Sequence, residues 1–284
     1  MKKLLFFLPL LVIILFSCQK EINFLGSGGG GGGATGNRLV KTVSKTATDS
    51  FTTIYTYNSS DRLINVKITG MSGGQDVGNE YRYYRNSSGI ITRRVQINPN
   101  FIPLGIDSVI TIVHYNTSTS KYTSAVFSLS LSGFAISDSA VHVYDVSGKL
   151  IRTDEYQAIL TLGLPYELSF KTMYTYDAAG NIKQLDLISH DPTTGADDLI
   201  STIKYSFDTK TAAINYGADA IGVGQADLAS VNNIIKADII DVTDPANNLT
   251  FDYTYTYNSS NRPVSGTSTQ TPGGAVNNLS FYYQ

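Results

Sequence analysis

The feature that most constrains the fold is a short pattern that returns about every thirty residues along the chain. Each copy has an anchor residue, a turn of small polar residues and then an aliphatic residue. Clear copies start at Tyr57, Tyr144, Tyr176 and Tyr257, and weaker ones start at Arg85, Tyr115 and Phe207. Only the last interval is longer, by about twenty residues. A fixed period of this size indicates repeated supersecondary units.

The chemistry of each copy is that of a β-hairpin. Asn or Asp at the turn entry, as at Asn58, Asp145 and Asp177, can hydrogen bond to its own backbone. In residues 52–57 and 250–257 the aromatic side chains fall on one face and polar side chains dominate the other. The sequence therefore predicts an all-β fold over residues 38–284. Its form is an up-and-down antiparallel meander of repeated β-hairpins, a large curved sheet or a partly closed barrel.

Some segments depart from the regular hairpin pattern. Residues 70–79 and 190–198 predict longer connections at the end of the sheet opposite the tight turns. Residues 217–231 lack the alternation of a strand and predict at most one short helix, capped by Asp227. Residues 166–176 predict a strand that carries Tyr166, Leu168, Phe170, Tyr174 and Tyr176 on one face.

The N-terminus has the organisation of an export signal. Lys2 and Lys3 precede an apolar run, Leu4 to Phe16, that is too short to span a bilayer comfortably. Residues 15–18, Leu-Phe-Ser-Cys, resemble the lipobox of bacterial lipoproteins, and this resemblance implies lipidation of Cys18. Residues 1–17 are then a signal peptide, and the Gly-rich residues 18–37 form a tether that reaches on the order of 25 Å. An ordinary signal peptide with an incidental Cys is the alternative.

The repeat itself resembles known sequences. Tyr-Asp or Tyr-Asn followed by small residues and Gly resembles the YD motif of rearrangement-hotspot proteins. Together with the lipobox, residues 38–284 are more similar to uncharacterised Bacteroidota lipoproteins with degenerate YD-like repeats and a porin-like sheet. The most specific part is the C-terminal stretch from Ser230 to Pro263. This resemblance implies a fold and an outer-membrane location, on the periplasmic or the extracellular face, but no activity.

Composition excludes several classes of function. With 21 basic and 23 acidic residues the net charge is -2, which gives no field to attract nucleic acid. A single Cys excludes an intramolecular disulfide, and three scattered His, at 114, 142 and 190, make a metal site improbable. We therefore expect no cofactor, no metal site and no nucleic-acid partner.

Candidate catalytic and binding residues are few. Residues 70–74, Gly-Met-Ser-Gly-Gly, match the G-x-S-x-G pattern, but polar loop and strand follow Ser72 instead of the helix that a nucleophile elbow needs. Asp145, Asp177 and the pair at 197–198 could contribute to a calcium site, although turn stabilisation explains them. Rows of Tyr could stack sugars, or pair across strands.

These observations favour a non-enzymatic binding or interaction module in the cell envelope, held to the membrane by a lipid at Cys18. Its partner would be another envelope protein or an external ligand. A glycan-binding accessory protein of a polysaccharide-utilisation system is the alternative. A transmembrane β-barrel is disfavoured, because its strands need about nine to eleven residues and several predicted strands run to about six to eight.

Overall fold

The backbone forms a closed antiparallel barrel of sixteen strands in simple up-and-down order. The computed structural model describes residues 38–131, 134–222 and 224–284; the predicted signal peptide and tether, with Cys18, lie outside the described residues. Each strand pairs with its sequence neighbour, and the first strand pairs with the last to close the ring. The predicted all-β meander of hairpins is confirmed, and the sheet closes completely.

The strands are β1 Leu39–Lys45, β2 Ser50–Tyr57, β3 Leu63–Ser72, β4 Gln75–Arg85, β5 Ile91–Ile97, β6 Val109–Asn116, β7 Lys121–Leu131, β8 Phe134–Tyr144, β9 Leu150–Ile159, β10 Glu167–Tyr176, β11 Ile182–His190, β12 Asp197–Thr211, β13 Asn232–Asp241, β14 Leu249–Tyr257, β15 Pro263–Thr271 and β16 Val276–Tyr283. One α-helical turn, α1, spans Asp219–Gly222, and 3-10 turns span Pro99–Leu104, Leu160–Leu162, Ala226–Ala229 and Pro245–Asn247.

The two ends of the barrel differ in how the strands are joined. At one end, here called the turn end, the repeat copies form tight hairpins at residues 58–62, 86–90, 116–120, 145–149, 177–181 and 258–262. At the other, the loop end, the connections vary in length and carry three of the 3-10 turns. Arg38 and Gln284 exchange backbone hydrogen bonds at the turn end, so both ends of the barrel chain meet there.

The repeated sequence forms one recurrent turn. In the first copy the Asn58 side-chain oxygen accepts hydrogen bonds from the backbone N–H groups of Ser60 and Arg62, both at 3.0 Å. The fourth turn residue, Asp61, has φ +57°, a left-handed conformation that Gly, Asn and Asp tolerate. Equivalent turns begin at Asn86, Asp145, Asp177 and Asn258.

The anchor residue before each turn has its own recurrent geometry. A β-bulge shifts the register at every one of the seven anchors, which increases the local twist that a closed barrel needs. Most Tyr anchors also form a hydrogen bond to the adjacent strand. For example, the Tyr176 hydroxyl donates to the Leu150 carbonyl at 2.7 Å. The hydroxyls of Tyr57, Tyr144 and Tyr283 make the same kind of bond. The repeat therefore encodes a turn, a bulge and a strand-end hydrogen bond together.

The copy at Phe207 is interrupted. Asp208 still accepts a hydrogen bond from a backbone N–H two residues on, at Lys210, at 2.9 Å. The second hydrogen bond to Asp208 comes from the backbone N–H of Asn233 at 3.1 Å. Asn233 is 25 residues further along the chain, whereas in an intact turn this donor is four residues further along. The long last interval in the sequence is thus an insertion inside one turn.

This insertion, described at residues 212–222 and 224–231, enters the barrel and is here called the plug. Its Ile214 and Ala220 are fully buried, and Ile214 belongs to one core cluster with Tyr55, Tyr83 and Tyr205 from strands on different sides of the wall. The plug therefore fills the lumen at the turn end.

The plug confirms the prediction of a short helix near residues 217–231, with one correction. Asp227 does not cap a helix over Leu228 and Val231, because it lies within the 3-10 turn Ala226–Ala229, and Gln225 precedes that turn. Leu228 is buried, as an inward-facing apolar residue should be, and Val231 is exposed.

Two further expectations about strands were wrong. Residues 70–79 are not a long connection, because β3 and β4 continue to a two-residue turn at Gly73 and Gly74, both with positive φ. Tyr166 and Leu168 do not share a face with Phe170. A bulge between Leu168 and Phe170 reverses the alternation, so Leu168 pairs with outward-facing Tyr156 while Phe170 pairs with inward-facing Glu155.

Strand length does not separate a membrane-spanning from a water-exposed barrel here. Five strands have seven or eight residues, but the other eleven have nine to fifteen. In the part of the chain that the structure describes, no helix has the length and apolar character needed to cross a bilayer.

Candidate functional site

The plug is fixed to the wall by a buried ion pair. Arg85 on β4 donates to Asp219 of α1 at 2.7 Å, and only 6% of the Arg85 side chain is exposed. The Tyr122 hydroxyl donates to the other Asp219 oxygen at 2.7 Å. Arg85 also donates to the carbonyls of Leu63 and Gly89. One aspartate thus connects the plug to strands on two parts of the wall.

A partly open cavity of about 90 Å³ lies between the plug and the wall built by β5 to β10. The plug supplies Ile221, Gly224 and Ala226 to its lining. The wall supplies polar side chains, namely Arg94, Thr111, Asp138, His142, Thr153, Glu155 and Tyr174. A cavity lined by four ionisable groups and an arginine is a candidate binding site.

Two carboxylates lie side by side in this cavity. Asp138 on β8 is opposite Gln157, and Glu155 on β9 is opposite Ala140, so the two acids are diagonal neighbours about 7 Å apart on the inner face. Gln157 donates to one oxygen of Asp138 at 3.3 Å. Within the described ranges, the Glu155 carboxylate has no hydrogen-bond donor.

Burial raises the pKa of both acids. It raises the pKa of Glu155 to about 8, with the Asp138 charge as the second cause, and that of Asp138 to about 6. Two nearby carboxylates cannot both ionise readily in a poorly solvated site. At neutral pH the pair therefore keeps about one proton.

Arg94 and His142 complete the polar lining. The backbone positions of Arg94 and Asp138 are in register three strands apart, so they are separated by about 14 Å across the sheet. The Arg94 guanidinium lies 3.4 Å from the Thr111 hydroxyl. His142 Nδ1 lies 3.2 Å from the Thr153 hydroxyl, and its Nε2 has no hydrogen-bond partner among the described residues. Burial lowers the pKa of His142 to about 4, which keeps the imidazole neutral.

The plug brings a third acid close to the same region. Burial raises the pKa of Asp227 to about 6, although backbone N–H groups in its own turn favour the charged form. The Asp227 charge in turn raises the pKa values of Tyr174 and Tyr205, after burial as the main cause. The interior thus has more acidic groups than basic ones facing it.

The outer surface of the wall is polar. Glu80 pairs with Arg82 at 2.7 Å, and Asp238 pairs with Lys236 at 3.0 Å. Hydroxyl ladders run along β14 and β15, where Thr254 and Thr267 are 2.8 Å apart. The inner face carries most of the buried core, including Val66, Tyr81, Val113, Tyr253, Leu279 and Phe281. Apolar exceptions are Ile110 and Ile112 on β6 and Val141 on β8, and other exposed apolar side chains lie on further strands, among them Ile54, Met71, Tyr84, Ile235, Val276 and Tyr282.

The three histidines do not come together. His114 is exposed on the outer face of β6, His142 faces the cavity, and His190 Nδ1 is 2.7 Å from Asp197 at the loop end. Among residues 38–131, 134–222 and 224–284, no group of three His, Cys, Asp or Glu could hold a metal ion.

The other candidates from the sequence have structural roles. Ser72 ends β3 beside a two-residue turn, and β4 follows instead of a helix. Asp145 and Asp177 stabilise the turns at 145–149 and 177–181 by accepting backbone hydrogen bonds. Asp197 accepts from Lys171 at 2.6 Å.

Most Tyr residues face inward, so their rows do not form an exposed platform. Tyr55, Tyr81, Tyr83, Tyr205 and Tyr253 are buried in the core. The more exposed tyrosines, Tyr84, Tyr166 and Tyr282, lie on separate strands or connections.

The sequence analysis did not identify the cavity residues. The sequence did contain a clue to these residues. Asp138, His142 and Glu155 are at inward-facing positions of strands whose other inward-facing residues are mostly apolar or small. Their proximity depends on the register of β8 against β9 and on the plug, which period-two patterns do not define.

Comparisons with known proteins find similarity at the level of fold. No protein-family model and no curated protein matches the chain. The structure is similar to that of a porin-like protein from Bacteroides uniformis, with 13% identity over 87% of this chain and 98% of that one and a TM-score of 0.52. A porin-like protein from Bacteroides vulgatus shows 9% identity over 87% and 99% of the two chains, with a TM-score of 0.40. At these identities the first similarity supports a shared barrel fold alone.

Proposed function

We propose that this chain is a lipid-tethered envelope protein whose barrel stands in water and binds a small molecule in its lumen, without catalysis. The observation that carries this proposal is the distribution of side chains: the aromatic and aliphatic core faces inward, and ion pairs and hydroxyl ladders face outward. A membrane-spanning barrel has the opposite arrangement, with an outward apolar band.

The energetic argument concerns charges in the middle of the wall. Arg82 and Lys236 project outward from the central parts of β4 and β13, as does Lys67 from β3. Each Lys or Arg facing lipid at the bilayer midplane costs about 2–4 kcal/mol. Water is therefore the favoured environment for this surface.

The tether gives the barrel a preferred orientation. Arg38 lies at the turn end, so a lipid at Cys18 would hold that end towards the membrane. The loop end, with its variable connections, would then face away from the bilayer. Loops of variable length on a rigid scaffold are where binding surfaces commonly occur.

A Cys18→Ala variant tests the anchor and the solvent environment together. We expect the wild type to incorporate labelled palmitate and fractionate with membranes, and the variant to do neither. The variant should also be monodisperse in detergent-free buffer by analytical ultracentrifugation. Soluble aggregates that disperse only in detergent, together with ion conductance in planar bilayers, would overturn the proposal.

A transmembrane barrel is the second candidate, and two observations favour it. Eleven strands have nine or more residues, and exposed apolar side chains occur on several strands, among them Ile54, Ile110, Ile112 and Val141. Outward-facing charged and hydroxyl side chains, such as Arg82, Lys236 and Thr254, interrupt these apolar residues, whereas a spanning barrel needs an apolar band around all strands. The conductance measurement above distinguishes the two candidates.

A glycan is a less favoured ligand than a small molecule in the lumen. The inward orientation of most Tyr side chains removes the exposed stacking surface that sugar binding would use. A glycan array tests this alternative, and saturable binding lost in a Tyr84→Ala variant would support it.

A further inference from the structure

We propose that the loop end docks a polypeptide segment that carries both basic and apolar side chains. The contact surface is formed by exposed apolar side chains of two connections, here called the apolar rim: Ile102, Leu104, Leu160, Leu162, Leu164 and Tyr166. This inference goes beyond the proposed binding of a small molecule, because it concerns a different surface and a different class of ligand.

The first connection of the apolar rim joins β5 to β6. Residues 98–106 contain no charged residue, and Ile102 and Leu104 are 52% and 54% exposed. The Asn98 side chain accepts a hydrogen bond from the N–H of Asn100 at 2.9 Å, and Gly105 ends the 3-10 turn with φ +79°. A defined turn therefore holds these two apolar side chains in water.

The second connection joins β9 to β10 and has the same character. Residues 160–166 contain no charged residue, and four of these seven are exposed large apolar side chains, with Leu162 at 64%. Gly163 ends the 3-10 turn with φ +63°, and the Tyr166 hydroxyl donates to Ser137 Oγ at 2.7 Å. Grouped apolar side chains on a surface that water otherwise covers commonly mark an interaction site.

The two connections border the same hairpin, β7–β8. Phe101 of the first connection packs against a cluster that includes Ile136 of β8. Tyr166 of the second connection bonds to Ser137, the next residue along β8. Because successive residues of a strand face opposite sides of a sheet, the connections flank this hairpin on its two faces. One partner that lies across the end of the hairpin would contact both.

The charge around the apolar rim indicates the chemistry of the partner. In the described connections at the loop end, and in the two strand residues on either side of each, every Asp, Glu, Lys or Arg except Lys45 is acidic. Asp107 and Glu167 directly follow the two apolar connections. At the turn end acids and bases lie side by side, as Asp61 and Arg62 do. The loop end therefore favours a partner that places Lys or Arg around its apolar side chains.

The same charge disfavours two other occupants of the apolar rim. A second copy of this chain docked loop end to loop end would bring acids against acids. An anionic membrane surface would also repel these acids, and it would do so most strongly at low salt. A basic polypeptide is attracted by the acids and can cover the leucines.

The test uses two short synthetic peptides with an amphipathic helical pattern, one built of Lys and Leu and the other of Glu and Leu. Their binding to the full chain carrying Cys18→Ala is followed by fluorescence anisotropy in detergent-free buffer. We expect saturable binding of the Lys–Leu peptide that weakens as salt is added, because salt screens the attraction. The Glu–Leu peptide should not bind.

Variants of the same chain locate the contact surface. Leu104→Ser combined with Leu162→Ser should weaken binding of the Lys–Leu peptide at least about tenfold, because it removes one anchor from each connection. Glu167→Gln should weaken binding less and reduce its salt dependence. Val146→Ser is the matched control, since it removes an exposed apolar side chain from the turn end, and it should bind like the parent chain. Circular dichroism checks that each variant folds.

The other outcomes count against the inference. Absence of saturable Lys–Leu binding, equal binding by the double variant, or equal affinity for the two peptides would overturn it. Binding to phosphatidylglycerol vesicles, or a dimer in analytical ultracentrifugation, that is lost in the double variant would assign the apolar rim to a membrane or to a second copy and would also overturn it. The residues of the apolar rim are separate from the cavity lining, so failure here leaves small-molecule binding in the lumen unaffected.

Discussion

The turn end and the loop end of the barrel join the same sixteen strands in different ways. At the turn end one motif is repeated, with a side-chain-stabilised turn, a bulge and, in three of the seven copies, a tyrosine hydroxyl bond to a carbonyl of the adjacent strand. The plug adds a buried ion pair there. At the loop end the connections range from the two residues Gly73 and Gly74 to 3-10 turns, and the ion pairs are exposed. Stability should therefore depend on the turn end, and sequence changes should be tolerated at the loop end.

The largest difference is expected between two aspartates in ion pairs. Asp219→Asn leaves the buried Arg85 guanidinium without its counter-charge and should lower the free energy of unfolding by about 3 kcal/mol or more. Asp197→Asn removes the partner of Lys171 and His190 at the exposed loop end, where solvent screens the charges, and should lower the free energy of unfolding much less. Urea unfolding followed by circular dichroism measures both. Equal losses would contradict the proposed difference between the ends.

The next difference is in the direction in which the free energy of unfolding changes with pH, for an acid inside the barrel and an acid at the loop end. The pKa of Glu155 is raised by burial, so the folded protein retains a proton that the unfolded chain releases, and stability falls as pH rises from about 4.5 to about 8. Glu155→Gln removes this dependence and should be more stable than the wild type by about 2 kcal/mol or more at about pH 9, with little difference near pH 4.

A loop-end acid should behave in the opposite way. Hydrogen bonds from Thr243, Asp244 and Asn247 lower the pKa of Asp241 to about 2. The stability that Asp241 contributes is therefore present above its ordinary value of 3.8 and lost as pH falls towards 2. Asp241→Asn should differ from the wild type at neutral pH and match it in strong acid. Thermal unfolding across pH would show whether the two profiles slope in opposite directions.

A smaller effect is expected for tyrosine hydroxyls. Tyr176→Phe removes the bond to the Leu150 carbonyl at the turn end and should cost about 1 kcal/mol. Tyr166→Phe removes a bond to Ser137 from a half-exposed side chain near the loop end, where water can replace it, and should cost less than about 0.5 kcal/mol. A larger loss in Tyr166→Phe, again by urea unfolding, would indicate that the outer surface contributes more than its exposure suggests.

The smallest effect is expected for loop length. Four Gly and Ser residues inserted after Thr194, in the loop between β11 and β12, should lower stability by less than about 1 kcal/mol because loop-closure entropy grows slowly with length. A loss above about 2 kcal/mol would show that this loop has a structural role. The measurement is the urea midpoint, with the wild type as reference.

The sequence predicted the turn end far better than the interior. The turns at 58–62, 145–149, 177–181 and 258–262 are local, since each depends on one Asn or Asp and backbone groups within four residues. Ring closure depends on β1 pairing with β16, which are separated by almost the whole chain, so the choice between a curved sheet and a barrel stayed open.

A β-bulge explains the wrong prediction for the faces of β10, and the register of β8 against β9 explains why the cavity residues were not predicted. The bulge after Leu168 adds one residue to β10 and reverses which side chains face the lumen, and no pattern of hydrophobic residues marks it. Asp138 and Glu155 are neighbours only because β8 and β9 pair in one particular register, and the plug encloses them only because the insertion after Asp208 folds inward.

The interrupted turn at Asp208 makes the plug separable from the wall. Asp208 accepts a hydrogen bond from Asn233 as the first residue of an intact turn does from the residue four positions on, so the pairing of β12 with β13 does not require a short segment between them. A chain without residues 212–231 would keep the strand order of the barrel and leave the turn end unobstructed, but it would lose the buried Arg85–Asp219 ion pair. Gain or loss of that single segment would thus close or open one mouth of the barrel without a change in the order of the surrounding strands.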